Sequence, residues 1–130
     1  MNYKTIYKPK LDDFAIKPNL SNYNESRSTF DWEHIQNGLD RLPNGGLNLA
    51  YEAVDRHATG KNKNKVALHW ESSDGIEEQY TFSDLKFLSD KFANVLTDLG
   101  IKKGDRVFIF MERIPELYIA FFGILKVGAI

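Results

Sequence analysis

The run that most constrains this chain is residues 99–130, LGIKKGDRVFIFMERIPELYIAFFGILKVGAI, which reads as one buried strand leading into one buried helix. Val107, Phe108, Ile109, Phe110 and Met111 are apolar on both alternating faces, the pattern of a parallel strand covered by helices on each side. Pro115 suits the first helical position, and Glu116 sets a negative charge against the positive end of the helix dipole. Residues 117–125 carry no charge. Gly128 supplies a left-handed stop, so Ala129 and Ile130 are expected to enter the next connection or the next parallel strand. The right-handed crossover that would complete this unit is expected to be missing, which makes the fold an incomplete α/β arrangement.

With 130 residues and 42% hydrophobic content the chain has enough apolar matter for a core. A formal net charge of −1 gives no electrostatic footprint for nucleic acid or for an anionic membrane surface. The charge-free run 117–125 is far short of the roughly 18 to 20 residues that a bilayer span needs. Lys4, Lys8 and Lys10 are followed by Asp12 and Asp13 with no apolar signal core, so neither a secretory nor a mitochondrial leader is expected. The chain contains no cysteine, which removes disulfide and thiol chemistry and accords with a cytoplasmic location.

Residues 1–30 hold two prolines and scattered aromatics (Tyr3, Tyr7, Phe14, Tyr23, Phe30) without a period, and read as an extended arm. Such an arm buries too little to offset its own ordering entropy, so its aromatics are expected to dock on the body of a larger protein. A short helix is predicted over 31–42, capped by Asp31 with Trp32, Ile35 and Leu39 on one face and ended by Pro43, Asn44, Gly45 and Gly46. A second is predicted over 47–58, capped by Asn48, with Leu47, Ala50, Val54 and Ala58 as its stripe. Residues 66–71 and 76–81 alternate with period two about Asp74-Gly75 and predict an antiparallel hairpin. A helix over 84–98 follows, with Ser83 as cap and Phe82 stapled to Phe87. Its inner face is Leu85, Leu88, Phe92, Val95, Leu96 and Leu99. Gly100 stops it, and Ile101 folds back onto Leu96.

Little in these residues points to chemistry. His34, His57 and His69 have no metal-site spacing and read as structural. Asp55, Arg56 and His57 read as an ion-paired surface turn, because neighbours on a helix point in different directions. Glu77 and Glu78 project to opposite strand faces and cannot act as a paired acid and base. Gly45-Gly46 and the glycines of 99–104 do not follow a strand and open a helix, so they serve turns rather than phosphates. The loop Glu112, Arg113 and Ile114 lies beyond the carboxyl end of the buried strand, where α/β sheets collect ligands. Arg113 is the binding candidate there, set against the more ordinary reading of a charged loop that caps a strand.

Three segments carry a resemblance: LNLAYEAVDRHA, QYTFSDLKFLSDKFANVLTDLGIKKGDRVFIFMERIPEL and GILKVGAI. Over roughly residues 20–130 the sequence resembles the N-terminal part of acetyl-coenzyme A synthetases, members of the adenylate-forming superfamily. The Asp55-Arg56-His57 helix favours acetyl- and propionyl-type synthetases over luciferases, fatty acyl ligases and adenylation domains, which share the core segments at 80–85 and 125–129. Glu112 departs from the family, where proline often follows the methionine.

The resemblance implies a leader over 1–46 with one short helix, and the beginning of a large AMP-binding domain over 47–130. It implies a parent ligase that joins acetate to coenzyme A through an acetyl-adenylate, using ATP, CoA and Mg. The phosphate loop, adenine pocket, magnesium carboxylate and adenylation lysine would lie beyond Ile130. No catalytic, cofactor-binding or metal residue is therefore assigned, and this stretch is expected to be an inactive scaffold whose partner is the remainder of its own domain. If residues 1–130 stand alone, Leu117, Tyr118, Phe121, Phe122, Ile124 and Leu125 are expected to face water and favour aggregation. The alternatives are another short- or medium-chain acyl-CoA synthetase, a small nucleotide-binding module, or a non-catalytic α/β partner-binding domain.

Overall fold

The N-terminal arm has the polar side chains to cap helices but few apolar residues at helical spacing to bury them. In the computed structural model, which describes residues 4–7 and 9–130, the arm is not extended throughout but holds a 3-10 turn at Leu11–Asp13 and one short helix, with a second short helix following it; Tyr3 and Lys8 lie outside the described residues. The chain divides into two units, residues 1–38 and 39–130. In the first, Asn22 caps α1 (Tyr23–Thr29) by accepting from the Glu25 amide at 3.3 Å. Asp31 caps α2 (Trp32–Asn37) as predicted, accepting from the amides of Glu33 and His34. The rings of Phe30 and Trp32 meet edge to face at 4.9 Å. Neither helix contains a buried residue.

The second unit opens with α3 (Leu49–Ala53), whose cap is Asn48, as predicted. The helix expected over 47–58 is interrupted at Val54 (φ −126°, ψ −59°), after which Asp55–His57 tighten into a 3-10 turn. Ala50, Val54 and Ala58 are buried, whereas Leu47 is 56% exposed. The hairpin follows as read: β1 (Val66–Glu71) pairs antiparallel with β2 (Glu77–Thr81), Trp70 facing Glu78, with a bulge between Val66 and Leu68.

The next helix, α4 (Phe82–Asp98), begins two residues earlier than expected. Thr81 rather than Ser83 is its cap, because Thr81 Oγ1 accepts from the Asp84 amide at 3.1 Å while the Asp84 carboxylate accepts from the Thr81 amide at 2.9 Å. Phe82 is thereby drawn onto the ring of His57, 5.1 Å between centroids, and the expected staple to Phe87 does not form. Phe87 is 59% exposed, with Lys91 lying over its ring.

Helix α5 (Pro115–Val127) packs along α4, and at Gly123 the approach leaves no room for a side chain. A Cβ there would sit 2.8 Å from Phe92 and 3.1 Å from the Ser89 carbonyl. Ser89 is fully buried on the α4 face and turns its hydroxyl back to the Leu85 carbonyl, so a polar residue fits where the helices nearly touch. Leu85 and Leu96 of the predicted stripe are buried, but Val95 and Leu99 are 51% and 74% exposed.

Both helices end alike. The Ile101 amide donates to the Leu96 carbonyl after left-handed Gly100, and the Ala129 amide to the Ile124 carbonyl after left-handed Gly128. The core thus gathers Leu96, Ile124 and Ala129 under Phe92, Ile101, Val107, Ile109 and Val127.

The parallel unit is incomplete, as expected, and the strand expected over 107–111 is not formed among the described residues, where only two backbone bonds join this stretch to the end of α5. The Ile130 amide donates to the Asp105 carbonyl at 2.7 Å, and the Val107 amide donates to the Ile130 carbonyl at 2.9 Å. These two bonds have the pattern of a single parallel bridge between Arg106 and Ile130, while the sheet among the described residues is the β1–β2 pair. Segment 105–110 belongs to no strand among the described residues, and from Val107 its residues alternate between half-buried and exposed. Val107 and Ile109 lie against the core, while Phe108 and Phe110 are 91% and 103% exposed. On α5, Ile124 is buried and only Tyr118 and Phe121, each 43% exposed, face water as expected.

Candidate functional site

Charge on α5 is confined to its ends, and Lys126 in the last turn reaches sideways rather than outward. Its ammonium lies 2.7 Å from Asp55 Oδ1 and 2.6 Å from Asp90 Oδ1, with side-chain exposures of 10% for Lys126 and 16% for Asp55. Lys86 meets the other oxygen of Asp90 at 2.5 Å. Burial pushes the Asp90 carboxyl up, but the hydrogen bonds from Lys126 and Lys86 outweigh it and hold the carboxyl below its usual range. Lys86 is raised by its bond to Asp90. One residue nearer the N-terminus, the Leu125 carbonyl accepts from Asn48 Nδ2 at 2.7 Å. The LN…DRH and LKVG segments are thus joined in space through Asn48, Asp55 and Lys126.

Arg56 Nε donates to His57 Nε2 at 3.3 Å. Arg56 bonds Glu52 at 2.8 Å and lies 3.7 Å from Asp40. Glu52 also accepts from the backbone amides of Asp40 and Arg41, at 3.2 and 2.7 Å. Burial raises its pKa, but these amides and Arg56 outweigh that and lower it. The ion pairing expected of the Asp-Arg-His turn is present, but Asp55 pairs with Lys126 and Arg56 with Glu52, both pairs largely buried rather than a surface feature.

The loop carrying Arg113 is fixed from the hairpin side: Trp70 Nε1 donates to the Arg113 carbonyl at 2.7 Å. Between them lies an open cleft of about 560 Å³ lined by Trp70, Glu71, Ser72, Glu112 and Arg113 among others. Glu71, Glu112 and Arg113 are all exposed, so solvent screens them, and opposite charges share one rim. This is the arrangement of a fastened loop rather than a convergent binding site.

Elsewhere the candidates stay apart. His69 meets Glu77 across the hairpin at 3.2 Å. Glu78 accepts from the Tyr80 hydroxyl, a bond that pushes Tyr80 up to about 12. His34 lies in α2. Gly45, Gly100 and Gly104 adopt positive φ, and none opens a helix of the phosphate-binding kind. Among the described residues, no group of three or more His, Asp or Glu side chains is placed to hold a metal ion. Sequence reasoning missed Lys126 as a junction. The available signal was a lone cation near the end of an otherwise uncharged helix.

Comparison with known proteins gives this geometry a family. The sequence profile of the AMP-binding enzymes matches residues 54–130, more than half of the chain. The chain belongs to the AMP-binding enzyme family. This AMP-binding sequence is similar to the acetyl-coenzyme A synthetase of Bacillus subtilis (strain 168), 48% identical over 113 residues, 86% of this chain and 20% of that protein. It is also similar to the 3-hydroxypropionyl-coenzyme A synthetase of Sulfurisphaera tokodaii, 46% identical over 66% of this chain and 13% of that protein. Among solved structures, the Brucella canis acyl-CoA synthetase superposes with a TM-score of 0.74 at 36% identity, over 83% of this chain and 19% of that one. The AMP-binding segment described here thus spans about a fifth or less of these relatives. Its incomplete α/β architecture is that of their adenylate-forming fold. Among the described residues, no helix is long and apolar enough to cross a membrane.

Proposed function

We propose that this chain is the N-terminal scaffold of an AMP-forming acetate–CoA ligase, with residues 1–46 as leader and 47–130 as the start of the adenylation domain. The parent enzyme activates acetate with ATP to an acetyl-adenylate, releases pyrophosphate, and transfers the acetyl group to the thiol of CoA in the cytoplasm, with Mg as the metal. The observation that carries this reading is the junction of Asn48, Asp55 and Lys126, which ties the acetyl-type Asp-Arg-His segment to the general core of the AMP-binding enzymes. The 48% identity to an acetyl-coenzyme A synthetase supports a short acid such as acetate, and the 46% identity to a 3-hydroxypropionyl-coenzyme A synthetase supports the alternative of a three-carbon acid. The role of these residues is to hold α3, α4 and α5 in register, and the chemistry belongs to other parts of the ligase.

The test is acetate-dependent exchange of pyrophosphate into ATP by the ligase that contains this segment. Exchange with acetate above propionate and longer acids is expected, and no exchange by residues 1–130 alone. Failure with every short carboxylate overturns the substrate assignment. Preference for a longer acid moves it to the alternative, another short- or medium-chain acyl-CoA synthetase.

A further inference from the structure

Pro43, Asn44, Gly45 and Gly46 are turn formers, and they close the loop at 39–46 on itself. The Leu42 amide donates to the Gly46 carbonyl and the Gly45 amide to the Leu42 carbonyl, each at 2.8 Å. The Gly46 amide donates to Asn44 Oδ1 at 3.0 Å, and Arg41 Nη1 to the Gly45 carbonyl at 3.3 Å. None of these bonds reaches α3. Among the described residues, the hydrogen bonds that leave the loop converge on one side chain, Glu52 of α3. We propose that the Glu52 carboxylate is a latch for residues 39–46, and that removing its charge opens this loop while α3, α4 and α5 stay folded.

Both oxygens of Glu52 are used. Oε1 accepts from the Arg41 amide at 2.7 Å, and Oε2 accepts from the Asp40 amide at 3.2 Å and from Arg56 Nη1 at 2.8 Å. Bonds to an ionised acceptor are roughly twice as strong as neutral ones, and at 11% side-chain exposure this carboxylate is little screened. Arg41 has a φ of 59°, a left-handed conformation that a residue other than glycine keeps only when its surroundings impose it. The shorter of the two amide bonds is made by this strained residue, so the bond that fastens the loop also holds its strain, and losing the one releases the other. The charges about Glu52 serve the same grip. Arg56 comes from the 3-10 turn, braced by its Nε bond to His57, and lies 3.7 Å from the Asp40 carboxylate of the loop. Lys126 of α5 is engaged by Asp55 and Asp90 instead.

The test is hydrogen exchange, read by mass spectrometry, on the full-length protein that carries this segment. The amides of Asp40, Arg41, Leu42, Gly45 and Gly46 are expected to exchange together, at a rate indifferent to low urea, which marks local opening. Glu52→Gln keeps the shape of the side chain but has no charge and accepts at one oxygen only. It is expected to speed exchange of these amides about tenfold or more and to leave α4 and α5 unchanged. Asp40→Asn is the control: the latch takes the Asp40 amide and not its exposed carboxylate, so exchange is expected to stay within about twofold of the original. As a second measurement, limited trypsin cleavage after Arg41 is expected to accelerate in Glu52→Gln alongside the exchange. Loop exchange or cleavage unmoved by Glu52→Gln, exchange that rises equally in α4 and α5, or an Asp40→Asn effect as large as that of Glu52→Gln overturns the proposal.

Discussion

Lys126 is the residue on which three elements converge, and its removal tests that directly. Lys126→Ala leaves Asp55 and Asp90 facing one another without their shared cation, and is expected to destabilise the folded chain by about 2–4 kcal/mol in urea titration. Replacing the pair together, Lys126→Met with Asp55→Leu, is expected to recover part of that loss. Gly123 sets the opposite kind of limit. A leucine there drives carbon into Phe92 and the Ser89 carbonyl, and Gly123→Leu is expected to lower stability by about 2–3 kcal/mol, read as a fall in the thermal midpoint. Neither residue shows its role in its neighbours along the chain. The Asn48 and Asp31 caps and the Gly100 stop were legible because their partners lie within a few positions. Ser89 against Gly123 and Asp55 against Lys126 bring together residues 34 or more positions apart, and no local period records them.

At the scale of elements, α4 shows how tertiary context decides between equivalent local signals. Thr81 and Ser83 both qualify as caps by type, and Asp84 settles the matter by completing a reciprocal pair with Thr81, so β2 runs directly into the helix. Thr81→Ala is expected to cost about 1 kcal/mol, a shift of about 4–8 °C in the midpoint for a unit of this size, while Ser83→Ala is expected to be nearly silent. The segment at 105–110, predicted as a strand, teaches the complementary lesson. Its apolar character on both faces was evident in the sequence, but which face would be covered depended on where α4 and α5 pack. Arg113 likewise sits on the predicted loop, yet Trp70 holds that loop through a backbone carbonyl, a bond that no sequence pattern announces.

For the whole molecule, the carboxylates set an acid limit. Glu52, Asp84 and Asp90 all have folded-state pKa values below their ordinary ones, for Asp84 chiefly because of its hydrogen bonds from Thr81. A lowered folded-state pKa means that the unfolded chain binds more protons as pH falls, so stability is full above the ordinary carboxyl range near 4 and is lost below it. Thermal midpoints measured between about pH 7 and pH 3 are expected to fall as these groups protonate, and Glu52→Gln is expected to flatten the curve. The two hydrogen bonds at Ile130 have a different consequence, one of timing. The costly step in building a parallel sheet is closing the loop between its first two strands, and here the helix pair has already brought the ends together. The backbone at 105–107 is thereby pinned from the far end of α5, as a clasp holds a strap, and the amides of Val107 and Ile130 are expected to be among the slower to exchange.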